Sequence, residues 1–291
     1  MNFAVVGQKI KELRKNIGIS QEELSEGICT QAQISKIEKG DVYPYASTLY
    51  LISTKLGVDV NYFFDIGMTP RLDYVQEVSK QLIKARRNLE YIEMKEIVRT
   101  EEENPLFSNN KRNLQLLLWH KGIYQYELEK NISKAESSLR DAISLTHTSN
   151  KVWSERELEI LLTIGVMYFE IGELENSFEI YQEVKEHLEI LPYISDYTIK
   201  TRLYYNIARV LTRLRNLELS NEYCKDAIQW CIQKDNMYLL GELHYHMGYN
   251  LELQSDLEHA KKYMQKALTV FELQNDDKYI KFITKKINDM N

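Results

Sequence analysis

Apolar positions in the first 65 residues fall at helical intervals. Phe3, Val6, Ile10 and Leu13 recur every three or four residues, which predicts a helix over Phe3–Asn16 ended by Gly18. Ser20 with Glu23, and Thr30 with Gln33, have the spacing of capping boxes, so two short helices are predicted within Ser20–Gly40. Leu24, Ile28, Ile34 and Ile37 sit where two crossing helices bury them, leaving Gln31, Ala32, Gln33 and Lys36 on the outer face of the second. A helix-turn-helix needs this combination of a buried hinge and a polar, groove-sized face. Leu49, Ile52 and Leu56 mark a fourth helix over Ser47–Leu56, and Val58 with Asn61–Phe64 closes a small core with a fifth helical turn.

Ile66-Gly-Met-Thr-Pro70 breaks the pattern and is read as the start of a linker, 66–73, between a domain over 1–65 and a second over 74–291. Beyond it the chain repeats one frame four times. A bulky residue is followed three positions on by an apolar or small pair, then by a large residue, and nine positions later by a small one. The frames are Trp119, Gly122-Ile123, Tyr126 and Ala135; Leu161, Ile164-Gly165, Tyr168 and Ser177; Tyr204, Ile207-Ala208, Leu211 and Ser220; His244, Met247-Gly248, Leu251 and Ala260. Each continues four and seven positions past its small residue, as Leu139 and Ala142, Tyr181 and Val184, Cys224 and Ala227, Met264 and Ala267. The frame resembles the tetratricopeptide repeat, in which antiparallel helix pairs pack through small residues at their crossing. A further, degenerate unit is predicted over Leu72–Glu103, giving about five repeats in all. The fold class expected is all-α: a five-helix helix-turn-helix domain followed by a right-handed tetratricopeptide-type α-solenoid.

Composition agrees with a helical reading. The 291 residues include only four prolines and eleven glycines, and Pro44, Pro70, Pro105 and Pro192 all fall where the apolar pattern breaks. No basic, apolar and small-residue succession opens the chain and no run reaches membrane-spanning length, so a cytoplasmic protein without membrane contact is expected. The net charge of −6, with seven Lys/Arg against eight Asp/Glu in residues 1–65, argues against coating nucleic acid by bulk attraction. DNA binding would have to rest on a few well-placed cations and helix N-termini, with Lys9, Lys11, Arg14 and Lys15 on the outer face of the first helix as candidates for phosphates.

Cys29, Cys224 and Cys231 have no zinc spacing, and two thiols seven apart on one helix, about 10.5 Å, are too far apart for a disulfide. No phosphate-binding glycine loop, Gly-x-Ser-x-Gly turn or His-Glu-x-x-His helix is present, so neither an enzyme nor a cofactor is expected. His244 and His246 diverge by about 200° on a helix and cannot share a metal.

In a repeat of this kind the first helix of each pair lines a groove. The groove positions are Arg202, Tyr205, Asn206, Arg209 and Arg213 in one repeat, and Glu242, Tyr245, His246, Tyr249 and Glu252 in the next. Leu162, Val166 and Phe169 hold the same places one repeat earlier. An extended peptide suits such a surface: an Asn amide can hold a backbone group through donor and acceptor, Arg can hold a carboxylate, and apolar sections take side chains. The peptide-binding set expected is Arg202, Tyr205, Asn206, Arg209, Glu242, Tyr245, His246 and Tyr249.

The runs Ser20-Gln-Glu-Glu-Leu, Ile34-Ser-Lys-Ile-Glu-Lys-Gly, Tyr43-Pro and Leu56-Gly-Val-Asp-Val-Asn-Tyr-Phe-Phe resemble the Xre/Cro-type helix-turn-helix domain. Joined to a repeat array, they make the whole chain similar to the RRNPP family of Gram-positive bacteria, and within it to the PlcR group. That resemblance implies a homodimer that binds a palindromic double-stranded promoter site, most simply as an activator, with a short re-imported signalling peptide in the groove. Gln31, Ala32 and Gln33 would then reach base edges from the start of the recognition helix, with Gln suited to adenine and Ala to a thymine methyl. Gln33 can instead serve only as a cap. Gln21, Ser35 and Lys36 are placed for phosphates, and with Thr30 they complete the DNA-binding set. Two other readings stay open: a regulator whose array binds a protein partner, and a thiol-responsive regulator.

Overall fold

The computed structural model describes residues 2–149 and 151–290. Among these residues there is no β-strand, only an isolated bridge between Ser149 and Val152. The chain divides into two compact units, one reaching His120 and the other starting at Lys121.

The first unit opens with α1 (Phe3–Ile17), α2 (Gln21–Ser25), α3 (Gln31–Lys39), α4 (Ala46–Leu56) and α5 (Val60–Met68). These are the five predicted helices, within a few residues of the predicted ends. Val6, Ile10, Leu24, Ile34, Ile37, Leu49, Ile52, Leu56 and Phe63 form its core. Ser20 makes both halves of its capping box with Glu23, and Thr30 accepts from the Gln33 backbone N–H. Helix α1 crosses α3 so closely at Gly7 that a Cβ there would lie 2.0 Å from the Ile37 carbonyl oxygen. The linker is shorter than the sequence suggests. Ile66, Gly67 and Met68 continue α5, whose Gly67 carbonyl accepts from the Asn2 N–H at 2.5 Å, and only Thr69–Arg71 separates α5 from the next helix.

The same unit continues with α6 (Leu72–Arg87), α7 (Tyr91–Glu101) and the short α8 (Pro105–Ser108). Helix α9 (Lys111–Glu127) leads into the second unit, which contains α10 (Ile132–Ser144), α11 (Glu155–Glu170), α12 (Leu174–Glu189), α13 (Thr198–Arg213), α14 (Leu217–Gln233), α15 (Leu240–Leu253), α16 (Leu257–Gln274) and α17 (Asp277–Asn288). Helices α11 with α12, α13 with α14, and α15 with α16 pack as pairs, and α9 meets α10 where Gly122 faces Leu139 and the Ala135 carbonyl. The small residues of the repeated frame stand at their crossings. Ala135, Ser177, Ser220 and Ala260 are fully buried. Ser177 Oγ donates to the Gly165 carbonyl and Ser220 Oγ to the Ala208 carbonyl, each at 2.8 Å, so the hydroxyl of one helix meets the backbone of its partner. At Gly165 a Cβ would lie 2.4 Å from the Tyr181 ring.

The turns inside the pairs share a backbone feature absent from the sequence pattern. Leu89, Lys130, Gly172, Arg215 and Ser255 all adopt positive φ, just before α7, α10, α12, α14 and α16. The residue after each donates its N–H back to the preceding helix, for example Glu173 to Tyr168, Asn216 to Leu211 and Asp256 to Leu251, at 2.9 Å each. This is the left-handed helix stop usually given to glycine, and here four of the five residues carry side chains.

Candidate functional site

On α3, the predicted reading strip divides by exposure. Gln31, Ala32 and Lys36 are exposed, Gln33 and Ser35 half-buried, and Thr30 exposed at the cap. Below them a chain of hydrogen bonds runs inward. Gln31 Nε2 donates to Gln21 Oε1 at 2.9 Å, Gln21 Nε2 donates to Glu38 Oε2 at 2.7 Å, and Arg14 Nε donates to Glu38 Oε1 at 2.5 Å. A second Arg14 nitrogen holds the Ile19 carbonyl at 2.8 Å. Burial would raise the Glu38 carboxyl, but the Arg14 and Gln21 bonds outweigh it and hold it below its ordinary value.

Arg14 is therefore a buried structural charge and not one of the outer-face cations, and Lys9 is engaged by Glu12 at 2.9 Å. Lys11 and Lys15 remain exposed. Gln21 can fix the side chain of Gln31, so the strip is held from beneath.

In the second unit, α11, α13 and α15 lie side by side. Arg202 and Arg209 both reach from α13 to carboxylates of α11. Arg202 meets Glu159 in a close pair, with Asp196 at 3.8 Å, and the pair is largely buried. Burial disfavours the Arg202 charge, but the adjoining Glu159 more than restores it. Arg209 meets Glu170 at 2.9 Å, lies 4.2 Å from the Phe169 ring centre and makes a long contact of 3.5 Å with Asn206 Oδ1. Asn206 is 9% exposed, and Leu162 and Phe169 are buried too, so the apolar section predicted on α11 mostly faces protein.

A cleft of about 310 Å³ opens where the C-terminal ends of these three helices meet. Its walls are Phe169, Tyr245, Tyr249 and Leu253, its cations Arg209, Arg213 and Arg215, and its floor Thr212 and His246. Tyr245 stacks with Tyr249 at 6.4 Å between ring centres and meets Phe282 edge-on at 5.5 Å. Tyr205 packs edge-on against His246, and burial pushes its phenol up to about 12.

The floor belongs to a buried polar network. Thr212 Oγ1 donates to Asn250 Oδ1 at 2.7 Å and lies 2.9 Å from His246 Nε2, while Asn250 Nδ2 donates to Ser220 Oγ at 2.8 Å and Asn221 Oδ1 at 2.9 Å. With the Thr212 proton given to Asn250, the His246 contact is a donation from Nε2–H to Thr212 Oγ1, and the network is neutral. Burial, with Arg209 nearby, lowers the His246 pKa to about 4.

The cleft thus gathers Arg209, Tyr245, His246 and Tyr249 from the predicted set and leaves Arg202 in its own ion pair. Glu242 is half-buried with one carboxylate oxygen unpartnered, and burial raises its pKa. Thr212, Arg215 and Leu253 join the site without having been foreseen. Periodicity could have found Thr212, but Arg215 lies beyond the end of α13, at a φ of 65°, where helical spacing no longer says which way a side chain points. His244 faces elsewhere, half-buried against Tyr263 with burial lowering its pKa to about 4. The buried Cys224 and Cys231 and the half-buried Cys29 all have thiol pKa values raised by burial, which disfavours the thiolate a redox sensor needs. No described helix is long and apolar enough to cross a membrane, and no described cluster of acidic, His or Cys residues could hold a metal.

A helix-turn-helix head carried by a body of antiparallel helix pairs is the fold of peptide-responsive DNA-binding regulators. The chain belongs to the RNPP family: the RNPP family C-terminal domain matches residues 79–290, and a helix-turn-helix family matches residues 10–63. Among solved structures it is similar to Bacillus thuringiensis PlcR in complex with the peptide PapR7 and DNA, with a TM-score of 0.86 and 24% identity over 96% of this chain and 99% of that one. It is also similar to ComR from S. thermophilus in complex with DNA and its signalling peptide ComS, with a TM-score of 0.67 and 16% identity over 98% and 99% of the two chains. Rgg2, the SHP pheromone receptor of Streptococcus dysgalactiae, gives 0.63 and 15% over 98% and 100%. Comparison with curated proteins returns no match.

Proposed function

We propose that this protein is a cytoplasmic, peptide-responsive transcription regulator, without catalytic activity, that binds a palindromic promoter site as a homodimer and activates from it. The observation that carries the reading is the cleft: guanidinium groups, stacked tyrosines and a neutral polar floor converge on one surface of a body whose head presents a helix-turn-helix. A short peptide offers what such a surface takes, namely carboxylate, amide and apolar side chains together. The peptide contacts proposed are Tyr205, Asn206, Arg209, Tyr245, His246 and Tyr249, with Arg202 and Glu242 beside them.

On DNA, Gln31, Ala32 and Gln33 would read base edges, while Gln21, Thr30, Ser35 and Lys36 would position the head on phosphates. A head with no excess of cations gains little from counterion release. Two copies on a palindrome supply the affinity one copy lacks, and peptide in the cleft sets how the copies are held. The test is a gel shift on the gene's own upstream region, with and without synthetic peptides encoded beside the gene. Peptide-dependent retention of a two-copy complex, with discrimination reduced by Gln31→Ala, is the expected result. Retention that ignores every peptide but follows an added protein from the cell extract would replace peptide by a protein partner.

A further inference from the structure

The arginines of the second unit are not equivalent. Arg202 and Arg209 are neutralised by Glu159 and Glu170 of α11. Arg213 and Arg215 line the same cleft, are exposed, and pair with no carboxylate among the described residues. Arg213 lies 5.3 Å from the centre of the Phe169 ring that also carries Arg209, so two guanidiniums meet one aromatic ring. Three cations against one carboxylate leave the cleft with a local positive excess, in a chain whose net charge is −6. The floor beneath adds no countercharge, since neither Thr212 nor His246 can carry a negative charge there. Like charges held together beside an aromatic wall are stabilised by an anion placed between them.

We infer that this cleft receives a carboxylate, held by Arg213 and Arg215, from a peptide whose neighbouring side chain is apolar and packs on Tyr245, Tyr249 and Leu253. The inference rests on the peptide-binding reading above and narrows it to anionic peptides. The carboxylate could be a peptide's C-terminus or an Asp or Glu side chain. Either satisfies the fork geometry of guanidinium, and the two sources separate experimentally.

The test uses the full chain and pools of random short synthetic peptides. One pool contains Asp and Glu with an amidated C-terminus, a second lacks acidic residues but keeps the free C-terminus, and a third lacks both anions. Each is titrated against the native chain and the Arg213→Gln/Arg215→Gln variant, by thermal shift and by competition for a fluorescent peptide selected from the binding pool. Both substitutions are at exposed positions, and circular dichroism verifies that the variant folds. One or both anion-bearing pools should bind, the third should not, and the variant should lose roughly tenfold or more in affinity for the binding pool. Preference for the first pool identifies an acidic side chain, and preference for the second the C-terminus. Equal binding of all three pools, or an anion preference kept in the variant, overturns the inference while leaving the peptide reading in place. Binding by none of them overturns both.

Discussion

The head and the repeats stop their helices at the same backbone conformation with different residues. In the head, α1, α3 and α4 end on Gly18, Gly40 and Gly57, each at positive φ. In the repeats, the corresponding places hold Leu89, Lys130, Arg215 and Ser255, with glycine only at Gly172. At Gly40 the reason is contact, because a Cβ there would lie 2.7 Å from the Ala4 backbone, where α1 starts. No atom crowds Gly172, so its turn needs only the φ and could accept a side chain at a cost of about 1 kcal/mol. Gly18 and Gly57 are as uncrowded as Gly172, so contact requires glycine only at Gly40, and the other turns, in head and repeats alike, need only the positive φ.

The two regions also bury polarity differently. The head encloses a charged pair, Arg14 with Glu38, and uses it to hold Gln21 and through it Gln31. The body also buries the Arg202–Glu159 pair, but beneath its cleft it encloses a neutral network at Thr212, His246 and Asn250, with the unpaired guanidiniums at the cleft surface.

The comparison breaks most severely at Glu38. Glu38→Ala leaves Arg14 buried without its counter-charge, an expected loss of about 3–5 kcal/mol in denaturant unfolding followed by a probe in the head. Arg14→Met with Glu38→Leu should recover most of that stability while freeing Gln21 and lowering DNA discrimination.

For the body the matching test is acid. Folded His246 titrates at about 4 against an ordinary 6.5, so as pH falls between those values the unfolded chain binds a proton that the folded chain refuses. Stability should therefore fall across that window by up to about 3 kcal/mol from this residue, and the slope should lessen in His246→Gln. A slope unchanged by the substitution would place the loss in other groups.

Close approach gives the third contrast. Gly7→Ala and Gly165→Ala should each cost roughly 1–3 kcal/mol. A second substitution, Tyr181→Leu, should relieve only the latter, because Gly7 faces the Ile37 backbone and Gly165 a side chain that can be shortened. The smallest effects belong to the turns: Gly172→Ala should lower stability by about 1 kcal/mol and Ser255→Gly raise it by a few tenths, roughly. Thermal unfolding of both variants against the native chain checks the pair.

Within the chain, the local pattern was enough for the helices and for the faces that meet. The Ser20–Glu23 capping box, the core of the first five helices and the small residues at the repeat crossings follow from spacings of three, four and seven, because helical geometry ties such spacings to one side of a helix, while Thr30 and Gln33 form only half of the second box. Only the tertiary structure decided which charges are available. Arg14 with Glu38, Arg209 with Glu170 and Arg202 with Glu159 are 24, 39 and 43 residues apart, and nothing in helical spacing says which helix a long side chain will reach across. The same holds for Arg215, beyond the end of its helix. Periodicity encodes which face is buried, while the partner of a polar group on that face is set by what packs against it.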